Sequence, residues 1–182
     1  MKNKFNIEKF LTLDNYITDT RLARRTGAGS TQEFFTPYSI VKRMCDKISD
    51  EDWSDLNKTF CEPCAGNFQF ILYIIYNRIM HGVDWITALK TCYGLELMQD
   101  NIGEGMQRVL DMLSDLADEK IIDYDYNDVD IAVHIMSENI VCHDFFTWNF
   151  EEWRPYTDEE IKQLKKKTNV KRLIYNTENL AA

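Results

Sequence analysis

Three stretches of the sequence place a turn or an acidic residue directly after a short apolar segment. The turn Glu62-Pro-Cys-Ala-Gly-Asn67 contains a glycine, which lets the backbone approach a ligand closely. Glu96 ends the segment 92–96, and Asp144 ends the segment 139–144. A carboxylate at the end of a strand can accept both hydroxyls of a ribose, and a second carboxylate suits an adenine amino group. These residue types predict a nucleoside-binding pocket, because the carboxyl ends of parallel strands meet at one edge of a sheet.

The elements that must position these residues alternate between short strands and helices. Strands are predicted at 58–62, 92–96, 139–144 and 171–175, and helices at 38–48, 68–80, 85–90, 101–116 and 158–167. Thr36 is predicted to cap the first helix, with Pro37 at its first position. Such alternation implies right-handed crossovers and a mostly parallel sheet flanked by helices, which is an α/β, Rossmann-like fold. The sequence predicts an N-terminal arm over residues 1–30 and one domain over residues 31–182.

Four short motifs follow one another between residues 26 and 150. They are Phe35-Thr36-Pro37, Glu62-Pro-Cys-Ala-Gly-Asn67, Gly94-Leu-Glu96-Leu and Cys142-His-Asp144-Phe. Their order and spacing resemble the motif series of S-adenosylmethionine-dependent adenine-N6 DNA methyltransferases of restriction-modification systems. The resemblance is to the class in which the cofactor motifs precede the catalytic one. It implies a class I methyltransferase core that binds S-adenosylmethionine and methylates DNA.

The resemblance also gives nine residues a place around the cofactor. The segment against the methionine end and the cofactor loop are matched by Thr36, Pro37, Glu62, Ala65, Gly66 and Asn67. Glu96 matches the acid that binds the ribose. Asp144 and Phe145 match the acid and the apolar residue near the adenine ring.

Two departures from the family pattern affect the expected activity. Phe68 stands where the family has a second glycine, so its ring either crowds the pocket or turns inward to pack. The catalytic tetrapeptide, Asn or Asp followed by two prolines and an aromatic residue, is absent after the predicted strand 171–175, where Asn176 is the candidate remnant of the catalytic position. That loop accepts the hydrogens of the adenine amine and stacks on the flipped base, so the chain alone is expected to transfer little.

The sequence is therefore compatible with two functions, and it does not decide whether the chain is an enzyme. One is adenine-N6 DNA methylation, and the other is a catalytically inactive remnant that serves as a binding module or as one half of a two-chain enzyme. The core is expected to be incomplete, with the strand 171–175 at a bare edge of the sheet. Because bare edges invite pairing, the sequence predicts a second copy or a separate chain as a partner. The alternative is that the lysine-rich segment just before the strand keeps the edge soluble.

The charge of the chain bears on DNA as a partner. The net charge of −9 argues against tight non-specific binding to DNA. Two basic strips are nevertheless candidates for phosphate contact. They are Arg21, Arg24 and Arg25, and then Lys162, Lys165, Lys166, Lys167, Lys171 and Arg172.

Hydropathy and cysteine usage predict a cytoplasmic protein. No apolar run approaches the roughly 18 residues of a membrane span, and the start of the chain lacks the apolar core of a signal peptide. Five cysteines, an odd number, indicate reduced thiols.

The cysteines leave two alternative functions. One is a redox pair of Cys61 and Cys64, and the other is a zinc site that adds Cys142 and His143. Both lack the further residues that such sites need.

Overall fold

The computed structural model of the chain describes residues 6–11, 23–24, 33–154, 156–157 and 159–167. The predicted strand 171–175 and Asn176 lie outside the described residues, as does most of the predicted arm 1–30. Within the described part of the chain, no helix has both the length and the apolarity that crossing a bilayer requires.

The strands form two separate sheets. A two-stranded antiparallel ladder pairs β1 (Ala23–Arg24) with β2 (Glu33–Phe34). The main sheet has the order β3 (Phe60–Glu62), β4 (Cys92–Glu96), β5 (Ile140–Cys142), and both of its pairings are parallel. The prediction of an α/β fold with a parallel sheet flanked by helices is confirmed at this level.

Helices connect the parallel strands and cover the sheet. They are α1 (Glu8–Leu11), α2 (Tyr38–Cys45), α3 (Asp50–Ser54), α4 (Gln69–Met80), α5 (Trp85–Lys90), α6 (Gln99–Asp118), α7 (Val129–Asn139) and α8 (residues 159–167). Between β3 and β4 the chain forms α4 and α5, and between β4 and β5 it forms α6 and α7. Both crossovers run in the same direction along the sheet, so right-handed connections bring these helices to one face.

Helix α4 lies at the centre of the core. Its apolar residues surround the helix instead of forming one stripe, which is typical of a helix buried on several sides. Accordingly, α4 contacts β3, β4 and the helices α1, α2, α3, α5 and α6. Ile71, Leu72 and Ile75 are almost fully buried there. This packing holds the turn between β3 and α4 against the end of the sheet.

The start and the end of α2 differ from the prediction. The first helical residue is Tyr38, so Pro37 is the N-cap residue and Thr36 lies one position too early to cap. The Pro37 carbonyl accepts hydrogen bonds from the N–H groups of Ile40 at 2.9 Å and Val41 at 3.1 Å. The helix ends at Cys45 because Ser49 caps a new helix, α3, and the chain must turn before it.

The acidic stretch 123–130 is ordered and contains no strand. A 3-10 helix spans Tyr126–Asp128, and the side chains and N–H groups of Asp125 and Asp128 hold its start as a capping box. The Tyr124 ring is buried and packs edge-on against Trp85, with 5.2 Å between ring centroids. Burial of this one aromatic side chain ties the stretch to α5.

Candidate functional site

A pocket of about 280 Å³ lies where the three parallel strands end. Its walls come from residues 33–35, from residues 63, 64 and 66 of the turn after β3, from residues 95–98 and from residues 143–146. Ligands bind at this edge in open parallel sheets, because loops that leave the strands diverge there. The walls include four of the nine residues matched to the cofactor, namely Gly66, Glu96, Asp144 and Phe145.

Glu96 joins the end of β4 to the turn that follows β3. Its Oε2 accepts a hydrogen bond from the Gly66 N–H at 2.7 Å. Its Oε1 accepts from the Met98 N–H at 3.0 Å and from Asn101 Nδ2 at 3.3 Å. Since a carboxylate has about four acceptor positions, three are already used by the protein and about one is left for a ligand.

Asp144 lies beyond β5 at the opposite wall. Its Oδ1 accepts from the Phe146 N–H at 2.9 Å, which closes a tight turn and leaves the exposed carboxylate anchored at one oxygen. The neighbouring His143 N–H donates to the Glu96 carbonyl at 3.0 Å, so this turn is fastened to the end of β4. The second oxygen of Asp144 is therefore held in place beside the pocket.

The rim of the pocket is apolar and exposed. The side chains of Phe34, Leu97 and Phe146 are 65%, 59% and 91% exposed. Phe146 contacts Phe145 edge-on at 5.6 Å, and Phe145 in turn contacts Phe150 at 5.4 Å. Exposed aromatic side chains around a cavity offer flat apolar surface to a ring-shaped ligand.

The charged side chains that line the pocket include acidic ones. Glu33, Glu96 and Asp144 contribute carboxylates, and none of the described lining residues is a lysine or an arginine. The pKa of the Cys64 thiol in the wall is raised, first by burial and then by the nearby charges of Glu62, Glu96 and Asp144. This potential opposes a phosphate group and favours a ligand that is cationic or rich in hydroxyl groups.

The turn after β3 is packed against α6. Asn67 is 1% exposed and donates from Nδ2 to Glu104 Oε1 at 3.0 Å. Phe68 has the left-handed φ of 71° and is fully buried. Of the two possibilities left open for Phe68, the structure shows the inward one: its ring packs against Gly105 and does not line the pocket.

The remaining matched residues lie beside the pocket without lining it. Glu62 Oε1 accepts from the Cys64 N–H at 3.2 Å, and burial raises the pKa of this carboxyl. The Ala65 N–H donates to the Leu95 carbonyl at 2.7 Å. Thr36 and Pro37 lead into α2 directly after the wall residue Phe35.

Comparisons with known proteins do not assign the chain to a family. No family model, curated protein or solved structure matches the chain. The assignment of the fold therefore rests on the observed order and direction of the strands. The candidate ligand of the pocket follows from the residues that line it.

The cysteine alternatives gain no support from the site. Cys61 and Cys64 are free and have exposed surface, and partial desolvation by the surrounding protein is the main cause that raises the pKa of both thiols. A redox pair needs a depressed thiol pKa, since the thiolate is the nucleophile. Among the described residues, no group of three or more His, Cys, Asp or Glu side chains is placed to hold a metal ion.

Several functional candidates were missed on the sequence. Glu33, Phe34, Leu97 and Phe146 line the pocket, yet each lies outside a periodic segment. A signal was present at the first two, because the pair Phe34-Phe35 directly precedes the Thr36-Pro37 motif. At Phe146 the sequence offers only an aromatic residue in a loop.

Proposed function

We propose that the chain binds S-adenosylmethionine in the pocket at the carboxyl ends of β3, β4 and β5, as a protein of the adenine-N6 DNA methyltransferase type. The observation that carries the proposal is a pocket with three acidic lining residues, exposed apolar side chains and, among the described residues, no lysine or arginine. S-adenosylmethionine is a cationic nucleoside without phosphate, whereas other common adenine ligands, such as ATP and NAD, carry phosphate groups that these carboxylates repel.

Glu96 and Asp144 bind different parts of such a ligand. Glu96 accepts a ribose hydroxyl at its remaining acceptor position, and the Asn101 bond, at 3.3 Å the longest of its three, is the one most easily replaced. Asp144 offers its free oxygen to the adenine amino group. Phe145 and the exposed Phe146 supply the apolar surface against the ring.

A second candidate is a cofactor-binding chain that does not catalyse transfer by itself. The observation in its favour is that the three prolines, Pro37, Pro63 and Pro155, are all isolated, so these 182 residues contain no pair of prolines for the catalytic tetrapeptide. On this proposal a second chain supplies that loop and the main contacts with DNA. Five free cysteines support a reducing compartment such as the cytoplasm for either candidate.

Isothermal titration calorimetry with a pair of matched variants tests the binding. Asp144→Asn removes a charge from the pocket and keeps the Oδ1 that accepts from Phe146, while Glu62→Gln removes a charge that lies outside the pocket. We expect S-adenosylmethionine to bind and ATP not to bind. Asp144→Asn should weaken binding about tenfold, as for one lost bond to a charged group, and Glu62→Gln should leave it unchanged.

The contrary results are equally clear. Absence of binding at millimolar S-adenosylmethionine, or equal binding of ATP, contradicts the proposal. An equal effect of the two variants would mean that the ligand lies elsewhere. A methyl-transfer assay on DNA with labelled cofactor then separates the two candidates, because activity of the chain alone excludes the non-catalytic one.

A further inference from the structure

Helix α6 presents three side-chain positions to the turn between β3 and α4. Glu104 accepts a hydrogen bond from Asn67 Nδ2 at 3.0 Å. Gly105 leaves room for the Phe68 ring, since a Cβ at this position would lie 2.3 Å from Phe68 Cγ. Arg108, which is 8% exposed, donates from Nη1 to the Asn67 carbonyl. Positions 104, 105 and 108 share one face of a helix, so a single face of α6 holds Asn67 and Phe68 at the end of the turn.

The turn needs such support because its backbone is unfavourable. Gly66 and Phe68 both have left-handed φ values, 51° and 71°. This region is easy for glycine, but it costs a residue with a Cβ roughly 1–2 kcal/mol. Phe68 also begins α4 without a side-chain cap. The local sequence therefore does not favour the observed conformation, and contacts from α6 must hold it.

One hydrogen bond couples the conformation of the turn to the pocket. The Gly66 N–H, which lies two peptide units before the Asn67 carbonyl, donates to Glu96 Oε2 at 2.7 Å. Both Gly66 and Glu96 line the pocket. A shift of the Asn67 carbonyl would rotate the adjoining peptides and move this N–H away from the carboxylate.

We propose that Arg108 is a positioning residue for the pocket: by holding the Asn67 carbonyl it keeps the Gly66 N–H on Glu96 and so fixes the wall that faces the ligand. Arg108 has no direct contact with the pocket and acts through the turn. The inference rests on the proposed function for the identity of the ligand, but the link between Arg108 and Gly66 does not depend on any ligand.

The chain offers a matched control in a second buried arginine. Arg78 is fully buried and also donates to backbone carbonyls, those of Trp53 at 3.4 Å and Asp55 at 3.1 Å. These carbonyls lie at the end of α3, away from the turn. Arg108→Met and Arg78→Met each remove a buried guanidinium and keep most of the aliphatic stem. Both are expected to lower stability, and only the first should change the pocket.

The test combines ligand affinity with the amide signal of Gly66 in NMR spectra. An N–H bound to a carboxylate resonates downfield and exchanges slowly with solvent. We expect Arg108→Met to move the Gly66 signal upfield, to speed its exchange and to weaken S-adenosylmethionine binding about tenfold, as for a lost buried hydrogen bond. Arg108→Lys keeps one donor for the Asn67 carbonyl and should recover part of both effects. Arg78→Met should leave the Gly66 signal and the affinity as in the wild type.

Some outcomes would overturn the inference. They are an unchanged Gly66 signal in folded Arg108→Met, or an equal change in Arg78→Met. If Arg108→Met does not fold, the wild-type protein still decides, because the Gly66 amide must then be as protected from exchange as the amides of α6. A freely exchanging Gly66 amide refutes the inference. If S-adenosylmethionine fails to bind the wild type, the proposed function fails, while the NMR result still decides the role of Arg108.

Discussion

The contact between Gly105 of α6 and the Phe68 ring predicts that Gly105→Ala lowers the stability of the protein. The added Cβ would lie 2.3, 2.4 and 2.6 Å from three atoms of the Phe68 ring, which is fully buried. Overpacking of this kind costs about 1–3 kcal/mol. In the opposite direction, alanine is about 1 kcal/mol better than glycine inside a helix. Because the clash involves three ring atoms at once, we expect the cost to prevail and stability to fall by up to about 2 kcal/mol.

Gly103→Ala is the control, and its expected effect on stability has the opposite sign. Gly103 lies on the same helix, is exposed, and has no atom within 4 Å of a Cβ built on it. Gly103→Ala should therefore gain the helix preference without a clash, up to about 1 kcal/mol. For a chain of this size, 1 kcal/mol corresponds to a shift of about 2–4 °C in Tm. Urea unfolding followed by circular dichroism measures both variants, and a Gly105→Ala variant as stable as the wild type refutes the packing argument.

Two further predictions concern carboxyl groups whose pKa is displaced. Burial raises the pKa of Glu62 above its ordinary 4.5, only partly offset by the Cys64 N–H, so its charged form opposes folding. Glu62→Gln should raise Tm at pH 7 and lose that advantage below about pH 4.5, and a lower Tm at pH 7 would contradict this. At the start of α8, the Thr157 N–H, Arg154 and the Thr157 hydroxyl lower the pKa of Glu160 to about 2. Its stabilising effect should be present above pH 4.5 and lost as the pH falls toward 2, so melting curves of wild type and Glu160→Gln should differ at pH 6 and converge at pH 2.

Elements with strong local signals were predicted closely. The helix expected at 85–90 is α5 (Trp85–Lys90), and the strand expected at 92–96 is β4 (Cys92–Glu96). The start of α5 is set by Asp84, whose side chain accepts from the Thr87 N–H at 3.0 Å. The strand β4 is a run of only five residues between a helix and a turn, and this short length favours a strand over a helix.

The parts of the site that depend on tertiary contacts could not be predicted from local patterns. Asn67 resembles a ligand-binding residue by its position in the turn, but it is buried and bonded to α6. The carboxylate of Glu96 was expected to serve a ribose, and most of its acceptor capacity serves the protein. Gly105 could not be singled out either, because Gly103 lies on the same helix and only the structure shows which of the two glycines faces Phe68.

The order of the strands in the main sheet has a consequence for biosynthesis. Each strand pairs with the one that precedes it in the chain: β4 joins β3, and β5 joins β4. A nascent chain that has reached Asp118 already contains β3 and β4 with the helices α4, α5 and α6. Among the described strands, β5 adds to the outer edge and does not have to be inserted between two that are already paired. Vectorial synthesis from the N-terminus and growth of the sheet therefore proceed in the same direction.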